Sequence, residues 1–355
     1  MENSTFGKDI LILEGFNIPS QSYIPSFILL LIVYFFIMVS NIGLVVLILR
    51  SSGLHQPMYL LLCNMSINDV FGATIIIPHV LRDLLTPDSQ RVIRYMDCVV
   101  QAFCVHLHAS ASHTVLMIMA FDRYVAICNP LRYATIMTHR MVLVLSVWAW
   151  VIPLPLVGIL IGLSVRLSRC RWNIVHFSCN NASLFKLSCE SVLINNIYGL
   201  GYTVVLLGSS IGSVTLTYLR IAMVCLRSKN KTLNRKALQT CATHLAVYAI
   251  LLVSGFIVII LHRFPQLASH RKVASVMLHV VLPALNALIY GLQIKEILVK
   301  ILAICLESVT PNIISLDQTG FMIRRYSFSN IRRLLNILLS PASKATRSHS
   351  QPVTY

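Results

Sequence analysis

Charge is what this sequence lacks. Only 12% of its 355 residues are Asp, Glu, Lys or Arg, against roughly a quarter in soluble domains. Length alone would allow about two soluble domains, but so few charges could not cover a soluble surface. Disorder requires low hydrophobicity, and 56% hydrophobic residues exclude it. Acids are scarcer still, 12 against 29 Lys and Arg, for a net charge of +17. No phosphate loop, zinc-protease motif or nucleophile elbow occurs, so nothing argues for an enzyme, a metal or a cofactor. No apolar leader stands within residues 1–23, which are mixed and polar, so the first apolar run is expected to target the chain. An integral membrane protein remains.

The charges leave seven long apolar gaps: Ile24–Leu49, Pro57–Leu81, Cys98–Phe121, Met141–Val165, Ser191–Leu219, Ala237–His262 and Val273–Ile294. Each is long enough for a helix to cross about 30 Å of hydrocarbon, which takes about 20 residues. Barrel strands are half as long and alternate in polarity. The expected fold is an all-α membrane protein, a seven-transmembrane helix bundle over 24–294. Residues 1–23 form an N-terminal segment, and 295–355 a tail whose start, Lys295–Leu306, has the spacing of a membrane-surface helix. With the N-terminus outside and the C-terminus inside, the inner segments 50–56, 122–140, 220–236 and 295–355 hold 18 of the 29 Lys and Arg, which fits the positive-inside rule. Basic residues that flank spans point to anionic lipid in the bilayer rather than to nucleic acid.

This orientation puts Cys98, Cys170, Cys179 and Cys189 on the oxidising side, where four cysteines allow three pairings. Asn3-Ser4-Thr5 and Asn181-Ala182-Ser183 read as glycosylation acceptors there.

Asp69 is the single charge inside any gap. At mid-membrane it costs several kcal/mol unless partnered, and Asn41, Ser112 and Asn286 stand at similar depth. Such a group is either an ion or proton site that biases two conformations, or a satisfied network holding helices in register. His106, Ser110 and His113 share one face of span 3. The two histidines stand two turns apart, about 10.5 Å along the axis, too far to chelate one metal. A polar cavity wall and a hydrogen-bonded core are the two readings. Asp122-Arg123-Tyr124 marks the inner end of span 3, where an arginine also suits a helix C-terminus. Pro78, Pro153, Pro155 and Pro283 interrupt spans, as in bundles that open cavities.

Four segments in register carry a resemblance: Leu54-His55-Gln56-Pro57-Met58-Tyr59, then Met119 through Cys128 (MAFDRYVAIC), then Lys236 through Leu245 (KALQTCATHL), then Pro283 through Tyr290 (PALNALIY). Over about residues 20–300 the chain resembles vertebrate odorant receptors, which are rhodopsin-like G-protein-coupled receptors. Leu60 through Asp69 and His262-Arg263-Phe264 are similar to the fish-like, class I branch. The resemblance implies a receptor that binds a small odorant in the bundle and activates a heterotrimeric G protein of stimulatory, olfactory type, raising cyclic AMP. It implies coupling through Asp122, Arg123 and Tyr124. It implies an interior polar network of Asn41, Asp69, Ser112, Asn286 and Tyr290, and the pairings Cys98–Cys179 and Cys170–Cys189. It implies the plasma membrane, in olfactory sensory neuron cilia. The odorant is expected to be water-soluble, carboxylic acids included, and to meet Arg263 with His106, Ser110 and His113. Two positions depart from the family pattern: Ala287 stands where proline is usual, and Ser112 where glutamate often helps to hold sodium. A non-olfactory chemosensory receptor of the same fold, or a transporter, is the alternative.

Overall fold

The computed structural model describes residues 9–16, 18–87, 90–227, 231–262 and 264–293. By internal contacts the chain divides into Met1–Tyr290 and Gly291–Tyr355, and the architecture below is that of the first unit. Asn3, Arg263 and the tail from 294, including Lys295–Leu306, lie outside the described residues, as does the side chain of Tyr290.

The described helices are α1 (Tyr23–Arg50), α2 (Pro57–Leu85), α3 (Tyr95–Cys128), α4 (Tyr133–Ile136), α5 (His139–Val151), α6 (Pro153–Val165), α7 (Asn181–Phe185), α8 (Leu193–Arg227), α9 (Lys231–Leu261), α10 (Ala268–Val276) and α11 (Leu282–Gln293). Seven segments are long and apolar enough to cross a membrane. The fourth, His139–Val165, joins α5 to α6, and the seventh, Ala268–Ile289, joins α10 to α11 through a π turn at Met277–Val281. This is a seven-transmembrane bundle. Helices overrun the charge-free gaps: α3 continues through Asp122-Arg123-Tyr124 to Cys128, and α8 runs to Arg227. A gap ends at its first charge, whereas a helix continues into the interface, where long charged side chains reach water.

The prolines act differently from one another. Pro153 is the first residue of α6 and separates it from α5. Pro283 stands just past the π turn, as the second residue of α11 within the continuous seventh span. Pro78 sits within an unbroken α2. Thr138 caps α5 by accepting from the Met141 N–H at 3.2 Å.

Polarity is distributed as in a lipid-facing bundle. Ile28, Leu29, Phe35 and Val39 of α1 are exposed, while Asn41, Asn68, Asp69, Ser112 and Asn286 are buried. Against lipid tails an apolar surface carries no penalty, and polar groups retreat inward to satisfy one another. α3 is central, packing against α2, α6 and α8.

One end of the bundle carries a three-stranded sheet in the order β2-β1-β3, where β1 is Ile10–Leu13, β2 Val92–Arg94 and β3 Asn173–Ile174. β1 pairs antiparallel with β2 (Leu11 opposite Ile93) and parallel with β3 (Leu13 opposite Ile174). Leu11 and Leu13 alternate inward, as period two dictates, and bury with Ile93, Ile174, Val157 and Ile161. Gly15 follows at φ +65°, a left-handed conformation that glycine adopts without strain. The same end holds both disulfides, Cys98–Cys179 and Cys170–Cys189.

Candidate functional site

A cavity of about 470 Å³ lies between α3, α8, α9 and the seventh span, with the 166–190 segment against it. That size suits a small ligand. The disulfide from Cys98, in the first turn of α3, to Cys179 holds that segment at the cavity, and the Cys179 N–H donates to Gln101 Oε1 at 2.8 Å. Leu160, Leu200, Leu206, Leu251 and Val258 give the wall its apolar part. Its polar part comes from His106, His113, His176, His262, His279, Lys186 and several amides and hydroxyls. No Asp or Glu stands on the wall among the described residues.

His106 accepts from the Asn181 N–H at 3.2 Å, and its ring meets Tyr202 edge-on. His113 pairs through Nδ1 with Ser210 Oγ at 3.2 Å, and Ser210 with the Tyr248 hydroxyl at 2.9 Å. Both histidines line the cavity. Ser110 is fully buried, donates to the His106 carbonyl at 2.7 Å and pairs with the Tyr202 hydroxyl. It therefore positions Tyr202, which does reach the wall. Arg263 lies outside the described residues.

Asn181 corrects an expectation. Read as a glycosylation acceptor, it is buried on the cavity wall, where its Oδ1 accepts from Ser164 Oγ at 2.7 Å. An amide enclosed in this way has no room for a sugar in the folded state.

The sequence reading missed several wall residues. His176 is buried, stacks on Phe177 and faces Ser275 Oγ at 3.4 Å. Burial pushes its imidazole down to about 3, and His262, Arg271 and Lys272 add to the effect while its bond to the Ser178 carbonyl opposes it. His279 sits in the π turn, and Asn195 near the start of α8. Their only sequence signal was polarity near one end of an apolar run, which lipid-interface residues share.

Below the cavity lies the polar interior. Asn286 Nδ2 donates to Asp69 Oδ2 at 3.0 Å. Ser112 accepts from Asn68 Nδ2 at 2.8 Å and donates to the His108 carbonyl at 2.9 Å. Asn41 donates to the carbonyls of Ile37 at 3.0 Å and Pro283 at 3.4 Å. The two candidates besides Asn286 are thus engaged elsewhere. At Gly72 a Cβ would stand within 2.5 Å of the His108 ring, so this glycine lets α3 approach α2. At the far end Arg123 pairs with Asp122 through Nε at 2.9 Å and also through Nη2. The Tyr133 hydroxyl donates to the other Asp122 oxygen at 2.8 Å. Burial first, and Asp122 beside it, raise the Tyr133 hydroxyl, which keeps it a donor. Tyr124 follows in α3.

A family model described as "Olfactory receptor" matches residues 30–308. The chain is similar to human "Olfactory receptor 5B12", 33% identical over 84% of this chain and 94% of that protein. It is similar to chicken "Olfactory receptor-like protein COR2", 33% identical over 81% and 91%. It is also similar to human "Olfactory receptor 52D1", 30% identical over 76% and 85%.

Proposed function

The chain belongs to the olfactory receptor family, and from that premise we propose the following reading of its parts. The protein is an odorant receptor, a multi-pass membrane protein that couples to a G protein. Its disulfide-bearing end faces outward, with the N-terminal segment 1–23 on that side and the tail 295–355 inside. Two supports are the paired cysteines, which require an oxidising side, and the basic excess of the opposite segments. The odorant occupies the cavity beside α3, and the G protein is a stimulatory, olfactory-type one that meets Arg123 after its pair with Asp122 opens. The site of action is the plasma membrane of olfactory sensory neuron cilia.

The single observation that carries the reading is a small-molecule-sized cavity and an intact Asp122–Arg123 pair at opposite ends of one helix, α3. A rigid rod between ligand and transducer sites is what a receptor needs for one to bias the other. The class I assignment and its acidic odorants rest on the class I-like segments, with Arg263 as the anion partner beside His106. A wall without acids among the described residues favours an anion there. The experiment is a cyclic AMP screen of cells expressing the full chain against a chemically broad odorant panel. A concentration-dependent rise is expected for some members. Silence across the panel at verified surface expression overturns the reading.

A further inference from the structure

Among the described residues that line the cavity, Lys186 holds the one permanent charge. It belongs to the 166–190 segment, whose charged residues are Arg166, Arg169, Arg171, Lys186 and a single acid, Glu190. Glu190 is turned elsewhere. Its Oε1 accepts from the Ser168 N–H at 3.0 Å and from the Ser168 hydroxyl, and neither residue touches the cavity wall. On the same wall His176 adds no charge, because burial holds its imidazole down at about 3.

The backbone pins Lys186 on both sides. Asn180 caps α7 by accepting from the Ser183 N–H at 2.9 Å, and the Lys186 N–H donates to the Ala182 carbonyl at 3.3 Å. Leu184 and Leu187, before and after it, are buried. The Leu187 carbonyl accepts from the N–H groups of Cys170 at 2.9 Å and Arg171 at 3.0 Å. The disulfides at Cys179 and Cys189 bracket the stretch. Lys186 itself is exposed and also lines the cavity, so it stands where the cavity meets water. An ammonium in that position keeps its charge without the desolvation cost of a buried ion.

Such a charge acts without one fixed rotamer. Its field extends about 8 Å at physiological ionic strength, and a cleft lined by one sign of charge concentrates ions of the other. We propose that Lys186 is a specificity-determining residue: with the arginines of its segment it draws ionised organic acids to the cavity and favours them over neutral molecules of the same shape. This rests on the receptor reading above and adds to it a cation on the segment that both disulfides hold. The ligand class follows from the wall. A carboxylate answers the ammonium, and an aliphatic body buries against Leu200, Leu206 and Leu251. An inorganic anion would leave that apolar wall uncovered, and an alkylammonium would meet a like charge and no acid among the described wall residues.

The test uses cells expressing the full chain, a cyclic AMP readout and straight-chain carboxylates of graded length, each paired with its methyl ester. In the unmodified receptor, raising the ionic strength of the medium should lower the potency of carboxylates and leave the esters where they were. Lys186→Gln should lower carboxylate potency about fivefold, the size of one screened charge contact, with ester potency unchanged. Lys186→Glu reverses the charge and should lower it about twenty-fivefold, one such step for each unit of charge. Lys186→Arg should answer both probes like the parent. A carboxylate-to-ester ratio that stays the same in Lys186→Gln at matched surface level overturns the inference. So does a loss shared equally by the esters, which would make Lys186 a shaping residue only, and so does a ratio indifferent to salt in the parent. Silence toward every carboxylate, while an ester or another odorant raises cyclic AMP, overturns the inference and leaves the receptor reading standing. Silence toward everything overturns both.

Discussion

Lys272, buried on the seventh span, holds its ammonium 3.2 Å from the Glu14 carboxylate of the N-terminal segment. The segment is thereby tied to the span that carries His279, and Arg271 beside it donates to the Val175 carbonyl at 3.0 Å. Phe16 adds a stack on Phe177 at 4.5 Å. The N-terminal strand is part of the fold around the cavity rather than a loose leader.

Removing Glu14 should therefore cost more than a surface pair would. Glu14→Gln strands a buried ammonium, and breaking a fully buried pair costs about 3–5 kcal/mol. Glu14 keeps about a third of its side chain in water, so a loss of roughly 2–3 kcal/mol is expected after discounting for solvent screening. Thermal unfolding of purified receptor in lipid nanodiscs measures it. Adding Lys272→Met should restore much of the loss, and no recovery in the double variant would count against the pair.

The Cys98–Cys179 bond spans 81 residues and the Cys170–Cys189 bond 19. Chain-entropy reasoning assigns about 4–5 kcal/mol to the first and about 3 kcal/mol to the second. Cys98→Ser should accordingly lose more surface receptor than Cys170→Ser, and lose odorant response in what survives, because Cys179 anchors the cavity-side segment. Surface labelling with a cyclic AMP readout compares the two, and equal losses would contradict the ranking.

At the other end of α3, Arg123→Ala should abolish odorant-stimulated cyclic AMP at undiminished surface level. Asp122→Asn should raise basal cyclic AMP, because the amide no longer holds Arg123 as a charged partner. Tyr133→Phe removes one bond to Asp122 and should give a smaller basal rise. Full stimulation of the Arg123→Ala receptor would sink this account.

His176 supplies a pH dependence with a definite sign. Its folded value is about 3, below the ordinary 6.5, chiefly from burial. Between those values the unfolded chain binds the extra proton, so stability is highest above about pH 6.5 and falls as pH drops toward 3. Each unit within that window costs up to about 1.4 kcal/mol from this side chain. His262, Arg271 and Lys272 face the ring and oppose its protonation. His176→Phe should flatten the decline between pH 7 and pH 5 in thermal unfolding, and an unchanged slope would show that the imidazole does not charge on unfolding.

Arg263→Ala should lose responses to acidic odorants more than to neutral ones, and Arg263→Lys should restore them only partly, since lysine lacks the two-pronged guanidinium. If both variants answer acids like the parent, the anion partner is another residue.

Hydropathy is one-dimensional information, and what it determines was legible along the chain. The seven spans, the isolation of Asp69 and the position of Asp122-Arg123-Tyr124 at a helix end follow from where charges stop and start. The residues by themselves left three cysteine pairings open and three partners for Asp69, because neither helix rotation nor loop path is written in an apolar run. Azimuth about the helix axis chose Asn286 for Asp69 and turned Ser112 toward Asn68. Loop path seated Asn181 against Ser164 instead of in water, which an acceptor tripeptide cannot reveal. The polar segment before the first span proved to be a strand between two others, since its alternating Leu11 and Leu13 found an apolar core only when residues near 93 and 174 came alongside. Only the tertiary structure could leave Asn195 Oδ1 and His279 Nδ1 without a hydrogen-bond partner among the described residues, because whether a polar atom is satisfied depends on which neighbours surround it and not on the residue itself.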